Sequence, residues 1–389
     1  MKIAGIIAEY NPFHNGHAWH VDETRRRTGC DSVVACMAGH FTQRGEPTLW
    51  SKWDRARMAL AGGVDAVFEM PALFAVRTAD AFASGGVAIL GRLGCDALSF
   101  GSETADLALL WTLADWRAEE PEALSRAVRA NLDAGMSHAK ARGEAVAALL
   151  GVEPEAVNRP NLILAAEYLR AIAGGGFAME PVAVERRGGY HDAAVGEYAS
   201  AGAIRVAIAR GDAASARAAM PDWTEPDAMH PMDDLLLAAL RRMDLEQLAA
   251  LPDVSEGLEH RLYAACREAS GREDLLDRLK CRRYTRARLS RLLTHALLGV
   301  DRAFVEAHSA PAYARLLGAR EGAGPLLKEL SARAAIPIVT RATALRGDPV
   351  FDLECRATDA WALLHDAPEC RRMGREFTAK FVKESAGSV

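Results

Sequence analysis

Apolar runs and helical patterns alternate along the first half of the chain. The apolar runs lie at residues 3–8, 32–37, 65–69, 97–100 and 181–185. Unbroken apolar runs of this length are typical of strands that are buried on both faces, as in parallel sheets, and the helices between them would serve as crossovers. The pattern therefore predicts an α/β fold with a doubly wound parallel sheet.

The second half has a different pattern, because strand signals mostly stop beyond about residue 212. Helical spacing dominates residues 231–299, a further helix is predicted within 313–329, and only a short extended piece follows it. We therefore predict two domains, a doubly wound catalytic domain over 1–212 and a mainly helical domain over 213–389.

The start of the chain carries the first candidate chemistry. The first strand ends at Asn11-Pro12, and His14 and His17 follow three residues apart in the first turn of a helix. Unpaired backbone N–H groups and the helix dipole favour an anion there, and Gly16 lets a ligand approach the backbone closely. The arrangement suits a nucleotide phosphate. The alternative is a set of ordinary polar residues at a helix start.

Further candidates for ligand contact stand at loop ends of the same unit: Gln43, Arg44, Glu46, Gly101, Asn161, Arg186, Arg187, Ser200 and Arg205. A guanidinium binds two phosphate oxygens at once, so the two arginines before paired glycines suit a triphosphate. Ser200 is expected to cap a helix whose start can hold a phosphate. Gly101 has an equal alternative as a turn glycine, and Asn161 as a helix cap.

A basic segment marks the second half. Its cations are Lys280, Arg282, Arg283, Arg286, Arg288 and Arg291, with Tyr284 among them and no acidic residue. In a chain whose net charge is −5, this local concentration predicts contact with a nucleic-acid backbone. The alternative is a solvated helix face that is balanced by acidic residues elsewhere.

Composition limits the class of protein. The chain has 389 residues, of which 50% are hydrophobic and 25% charged, as in ordinary globular proteins. Seven scattered cysteines without a C-x-x-C pair favour reduced thiols over disulfides or a zinc site. No signal peptide or apolar run of membrane-spanning length is expected, so we predict a cytoplasmic protein with no membrane partner.

The spelling His14-Asn15-Gly16-His17 after a buried strand resembles the HxGH signature of the nucleotidyltransferase superfamily. Further motifs, in order along the chain, resemble those of the bacterial tRNA(Met) cytidine acetate ligases. They are GIIAEYNPFHNGH, MAGHFTQRGEP, SKWDRARMALAGGVD, LSFGSE, RPNLILAAEYL, GGYHD, ASAGAIR, EGLEHRLY and CRRYTRARLSRLLTH. So long a series is more specific than the HxGH signature alone.

The resemblance implies a reaction in two steps. ATP and acetate give acetyl-adenylate and pyrophosphate, and the acetyl group then passes to the exocyclic amine (N4) of the wobble cytidine of elongator tRNA(Met). Acetyl-CoA is not used in this family. Magnesium is expected with ATP, but no acidic cluster in the sequence defines a protein-built metal site. The oligomeric state stays open.

The resemblance also implies site residues. His14 and His17 are expected to be catalytic, and the helical second half, including the basic segment, is expected to receive the tRNA. ATP is expected on Ile7, Ala8, Glu9, Tyr10, Asn11, Pro12, Phe13, His14, Asn15, Gly16, His17, Ala18, Trp19, His20, Gly101, Asn161 and Arg186.

Two departures from the family pattern affect this site. The spacing of the arginine from Tyr-His-Asp differs by one residue, so Arg187 is the alternative to Arg186. Gly202 stands where the family commonly has Thr, which leaves Ser200 and Arg205 as phosphate contacts. The competing functions are an adenylyltransferase that acts on a small phosphoester and a tRNA-binding protein without catalysis.

Overall fold

The computed structural model describes residues 1–157, 159–186, 196–226, 229–281 and 283–384. Its first half alternates strands with helices, as the apolar pattern predicts. The strands are β1 (Ile3–Ala8), β2 (Ser32–Ala38), β3 (Ala66–Met70), β4 (Ala97–Ser102) and β5 (Glu180–Glu185). The helices are α1 (Asn15–Thr28), α2 (Lys52–Ala61), α3 (Ala72–Ala75), α4 (Ala79–Arg92), α5 (Leu107–Ala118), α6 (Glu122–Asp133), α7 (His138–Leu150), α8 (Pro154–Val157) and α9 (Pro160–Gly175).

The second half is mainly helical. After α10 (Ala201–Ala209), which ends the first half, the helices are α11 (Ala213–Ala218), α12 (Asp233–Arg242), α13 (Leu245–Ala250), α14 (Leu258–Glu268), α15 (Arg272–Leu279), α16 (Arg286–Leu298), α17 (Arg302–Ala307), α18 (Gly324–Arg333), α19 (Pro349–Ala362) and α20 (Arg375–Thr378), with a 3₁₀ turn at Ala342–Leu345. Three strands also occur there: β6 (Ala314–Arg320), β7 (Ile338–Val339) and β8 (Val382–Glu384).

All eight strands belong to one mostly parallel sheet. Its order is β5-β4-β1-β2-β3-β6-β7, with β7 beside the start of β6 and β8 beside its end. Strands β1 to β5 are mutually parallel, so the doubly wound sheet is confirmed. Their carboxyl ends therefore meet at one edge, where ligands of open α/β sheets bind.

Strand β6 corrects the sequence interpretation of residues 313–329 as helix. The segment Ala314–Arg320 forms a strand antiparallel to β3, with Phe68 opposite Leu316, and helix α18 begins only at Gly324. A short run with two leucines fits the apolar spacing of a helix as well as that of a strand. Pairing with β3 makes it a strand. The division at residue 212 stays a prediction, although β6, β7 and β8 extend the sheet of the first half.

Helices cover both faces of the sheet. Every residue of β2 is buried, which explains why its sequence is apolar without alternation. Helix α4 approaches β1 very closely at Gly86, where a Cβ atom would lie 2.7 Å from the Ile7 side chain. No helix in the described part of the chain is long and apolar enough to cross a bilayer.

Helix α16 joins the second half to the loop after β2. Its buried face donates hydrogen bonds from Ser290 Oγ to the Arg44 carbonyl (2.5 Å) and from Thr294 Oγ1 to the Gly45 carbonyl (2.6 Å). The Nε2 of His295 lies 2.7 Å from the Val76 carbonyl. The helix that begins in the basic segment thus packs at the carboxyl edge of the sheet.

Candidate functional site

The two signature histidines form one rigid unit at the start of α1. His14 caps the helix, its Nδ1 accepting the N–H of Gly16 at 3.1 Å, and the Nδ1 of His17 accepts the backbone N–H of His14 at 3.3 Å. Their rings stack with centroids 3.7 Å apart. A neutral imidazole that accepts at Nδ1 carries its proton on Nε2, so this network gives both rings an Nε2–H donor.

Burial keeps both rings uncharged. It lowers the pKa of His14 to about 3 and the pKa of His17 well below its ordinary value, and the Arg186 guanidinium adds to both effects. At neutral pH the pair therefore offers N–H donors without a full positive charge. Gly16 preserves the packing, because a Cβ atom there would lie 2.9 Å from the His14 ring.

His20 is turned to the sheet and has a protein partner. Its Nε2 lies 3.0 Å from Ser99 Oγ, which also accepts a hydrogen bond from Thr24 Oγ1 at 2.7 Å. Burial lowers the pKa of His20 to about 4. His20 thus lies beside the two signature rings with its Nε2 in contact with Ser99.

Gly101, Asn161 and Arg186 come together across three elements. The Arg186 guanidinium donates to Asn161 Oδ1 at 3.2 Å, and its backbone N–H donates to the Ser102 carbonyl at 3.0 Å. Asn161 Nδ2 donates in turn to Glu103 Oε1 at 2.8 Å. Asn161 is thus bound within this cluster and does not cap α9, whose N-cap is Arg159. Arg187 lies outside the described residues.

These groups line one cavity of about 50 Å³, named here the histidine cavity. Eleven residues line it: His14, Gly16, His17, Trp19, His20, Gly101, Val184, Arg186, Tyr198, Ala199 and Ser200. Eight of them are expected from the sequence. Val184, Tyr198 and Ala199 are not, although the flanking Arg186 and Ser200 indicate their loops. Glu103, the last residue of the LSFGSE motif, was not predicted as a site residue.

Several other expected residues build the scaffold of the site. Tyr10 and Phe13 are buried, and the Tyr10 ring packs edge-on against Phe13 (4.9 Å) and His17 (4.8 Å). Asn11 accepts from the Leu49 N–H through its side chain, and its carbonyl accepts from Arg205. The other residues of the predicted ATP segment 7–20 belong to the strand, turn and helix that form it. They are Ile7 and Ala8 in β1, Pro12 in the turn, and Asn15 and Ala18 in α1.

Ser200 and Arg205 have defined roles in this scaffold. Ser200 caps α10 by accepting the Ala203 N–H at 3.2 Å, as predicted. Arg205 donates to the Asn11 carbonyl at 2.6 Å, which ties α10 to the turn after β1. Asn15 reinforces this tie through hydrogen bonds to the Glu197 and Ala218 carbonyls.

Glu9 and the loop after β2 form a second polar group at this edge. The Glu9 carboxylate accepts the backbone N–H of Gln43 at 2.7 Å, and Gln43 donates through its side chain to the Arg77 carbonyl. Burial raises the pKa of Glu9. The buried Arg55 guanidinium, which sequence reasoning missed, donates to the carbonyls of Glu9 and Ala38 at 2.6 and 3.0 Å. It thereby joins the ends of β1 and β2.

The basic segment is largely neutralised by its neighbours. Arg283 pairs with Glu256 at 2.7 Å, and Arg286 pairs with Asp277 and Glu273. Arg288 donates to the Asp253 carbonyl at 2.6 Å, and Arg291 is buried with its Nε 3.8 Å from Asp253. Lys280 is exposed, and Arg282 lies outside the described residues. The balanced helix face that the sequence left as an alternative accounts for most of these charges.

Within the described residues, no group of three or more His, Cys, Asp or Glu side chains is placed to hold a metal ion. The histidine cavity, with its neutral imidazoles and the Arg186 guanidinium, offers hydrogen-bond donors for an anion. Hydrogen-bond donors fixed beside a helix N-terminus suit a nucleotide phosphate.

Comparisons with known proteins agree with this geometry. Residues 1–376 match the family model described as HIGH Nucleotidyl Transferase. The chain is 36% identical over 386 residues to the tRNA(Met) cytidine acetate ligase of Caldanaerobacter subterraneus subsp. tengcongensis, covering 94% of this chain and 96% of the relative. It is 35% identical over 393 residues to the Bacillus subtilis protein of the same name, covering 95% and 94%.

Solved structures give the same result for the fold. Thermotoga maritima TmcAL bound with alpha-thio ATP superposes with a TM-score of 0.88 at 30% identity, covering 99% of this chain and 100% of that chain. The apo form of the same protein has a TM-score of 0.90 at 29% identity, with the same coverage.

Proposed function

The chain belongs to the tRNA(Met) cytidine acetate ligase family, and on this premise we propose that it activates acetate with ATP and acetylates a cytidine of tRNA(Met). The observation that carries the proposal is the stacked pair of neutral histidines beside Arg186 and Asn161. The ATP analogue bound by the Thermotoga maritima relative supports ATP as the nucleotide that this chain uses.

In the first step an acetate oxygen attacks the α-phosphorus of ATP. The new P–O bond forms as the bond to the bridging α–β oxygen breaks, and pyrophosphate leaves. Negative charge that builds on the phosphate oxygens is met by the Nε2–H donors of His14 and His17 and by the Arg186 guanidinium. Because the two rings are already fixed by backbone N–H groups, little reorganisation is needed as the charge develops.

In the second step the exocyclic amine of the cytidine attacks the acetyl carbonyl carbon. The bond from this carbon to the AMP oxygen breaks, AMP leaves as an anion, and the amine nitrogen gives up one proton to water. The same donors that hold the phosphate during the first step stabilise the departing AMP.

The proposed ligands extend to magnesium and elongator tRNA(Met). Mg²⁺ usually binds to substrate phosphates and water with few protein ligands, so it would arrive with ATP. The wobble cytidine of elongator tRNA(Met) is the proposed acceptor, and the described cysteines, all free, support a cytoplasmic location. Within the basic segment, the exposed Lys280 and Arg283 and the half-buried Arg286 remain proposed contacts for the tRNA.

The test of this function is release of pyrophosphate from ATP that depends on acetate, together with transfer of labelled acetate to tRNA(Met). We expect His17→Ala to lower both rates by about a hundredfold to a thousandfold, because it removes a phosphate donor. His260→Ala is the matched control, since His260 is exposed on α14, and it should retain both activities.

A reaction with labelled acetyl-CoA in place of acetate should leave the tRNA unlabelled. Acetate-independent release of pyrophosphate with a small phosphoester as acceptor would contradict the proposal and favour an adenylyltransferase.

A further inference from the structure

A second cavity, of about 300 Å³, lies against the first half of β6 and shares no lining residue with the histidine cavity. We name it the β6 cavity. The lining residues that matter for its chemistry are Trp53, Arg315, Arg341, Glu376, Phe377 and Lys380. Its volume lies at the lower end of the range that small-molecule sites in proteins span.

The walls of the β6 cavity carry an excess of positive charge. At its base Arg315 pairs with Glu376 and Glu69, and Lys52 Nζ lies 2.5 Å from Glu376, so these buried charges compensate one another. Arg341 and Lys380 are exposed and have no ion pair with any described residue. Their charge is therefore available to an anion.

Aromatic rings line the same space. Trp53 is partly buried, and Phe377 is 38% exposed with the Arg346 guanidinium 4.7 Å from its ring centre. The Arg375 guanidinium lies 5.8 Å from the Trp53 ring, and its Nη1 is buried without a hydrogen-bond partner among the described residues. Cations beside aromatic faces are what proteins use to hold a phosphate and a stacked base together.

The β6 cavity lies at the same edge of the sheet as the histidine cavity. Because β6 is antiparallel to β3, its start lies beside the end of β3, where Leu316 pairs with Phe68. Three strand spacings separate β1 from β6, which is on the order of 14 Å. A stacked nucleic-acid strand that rises about 3.4 Å per nucleotide covers that distance in about four nucleotides, and the histidine cavity extends further along the same edge, to Gly101 on β4 and Val184 on β5.

We propose that the β6 cavity binds a nucleotide, with its base against Trp53 and Phe377 and its phosphate at Arg341 and Lys380. The nucleotide can come from a single-stranded part of the tRNA or from a free mononucleotide. The shared sheet edge favours the tRNA strand, and this identification of the source rests on the proposed function. None of these residues was singled out by the sequence, because strand β6 and helix α20 bring distant segments together.

The first test is the double variant Arg341→Ala/Lys380→Ala. We expect its dissociation constant for tRNA(Met) to rise about tenfold, and the slope of log K against log salt to decrease by about one or two, because phosphate contacts are lost. The control is Lys328→Ala/Arg372→Ala, which removes the same charge from exposed positions outside the cavity. Unfolding midpoints and ATP affinities establish that both proteins are intact.

The second test is Phe377→Leu, which keeps an apolar side chain and removes the aromatic face. Affinity for tRNA should fall about tenfold while the salt slope stays that of the wild type, because stacking is not ionic. Titration with CMP in the presence of saturating ATP tests the other source of the nucleotide. Loss of CMP binding in the double variant, with tRNA binding retained, would identify a free mononucleotide as the ligand.

If tRNA and CMP bind both cavity variants as they bind the control, the proposal is overturned. The proposed function fails by a different result: wild-type protein that binds tRNA through the β6 cavity but releases no acetate-dependent pyrophosphate.

Discussion

His295 is a buried histidine whose charge is coupled to the stability of the fold. Its side chain is 2% exposed, its Nε2 hydrogen-bonds to the Val76 carbonyl, and burial lowers its pKa to about 4. In the unfolded chain the pKa is about 6.5. Between these values the unfolded chain binds more protons than the folded one, so stability falls as the pH decreases through this window.

We therefore expect His295→Gln to reduce the pH dependence of stability. Between pH 7 and pH 5, this one histidine should lower the free energy of unfolding of the wild type by about 2 kcal/mol. The variant should lack this contribution. Urea unfolding at the two pH values measures the difference. His260→Gln, at an exposed site, should keep the wild-type dependence, and an equally steep dependence in His295→Gln would contradict the assignment.

The residues of the histidine cavity differ in how far the sequence reveals them. His14, Gly16 and His17 are contiguous with a strand end, so their proximity follows from local geometry alone. The contact of Arg186 with Asn161 depends on the register of β5 beside β4, which spacing along the chain does not specify. The charge balance at Arg283 and Arg286 depends on acidic groups of other elements, which spacing along the chain does not reveal.

At the scale of elements, helix α2 connects the strand ends that support the site. Arg55 is fully buried and donates to the carbonyls of Glu9, Ala38, Gly39 and Trp50. We expect Arg55→Lys to lower the free energy of unfolding by about 3 kcal/mol, because an ammonium leaves buried carbonyls unpaired at about 1–3 kcal/mol each.

Urea unfolding at pH 7 measures this loss. Arg57→Lys is the control on the same helix: its side chain is about one third exposed and pairs with Asp222, so its loss should stay below about 1 kcal/mol. If both variants lost the same free energy of unfolding, the carbonyl contacts of Arg55 would contribute no more to stability than the partly exposed ion pair of Arg57.

Helices and strands were predictable where the spacing of apolar residues clearly fitted only one of the two. Strands β1 to β5 are apolar runs bounded by turns, and the long helices have amphipathic spacing. Strand β6 was missed because the apolar run within Ala314–Arg320 is short and flanked by arginines, so it fits a helix as well as a strand. Its conformation follows from pairing with β3, more than two hundred residues away in the chain.

At the scale of the whole molecule, the two halves share one sheet and one buried ion cluster. Lys52 and Glu69 come from the first half, and Arg315, Glu354 and Glu376 come from the second. Burial and the neighbouring Glu69 carboxylate raise the pKa of Glu354. Removal of the partners of a buried charge is strongly destabilising, and an uncovered β3 would be an open apolar edge.

We therefore expect a fragment of residues 1–212 to lack a cooperative unfolding transition and to aggregate, whereas a chain of residues 1–384 should behave as the full protein does. Near-ultraviolet circular dichroism, urea unfolding and sedimentation measure these properties. Co-expression with residues 213–389 should restore a soluble complex, because it returns β6 to β3 and Arg315 to Glu69. A monomeric 1–212 fragment with the unfolding midpoint of the full chain would instead show that the first half folds independently, and that the sheet strands of the second half only dock onto it.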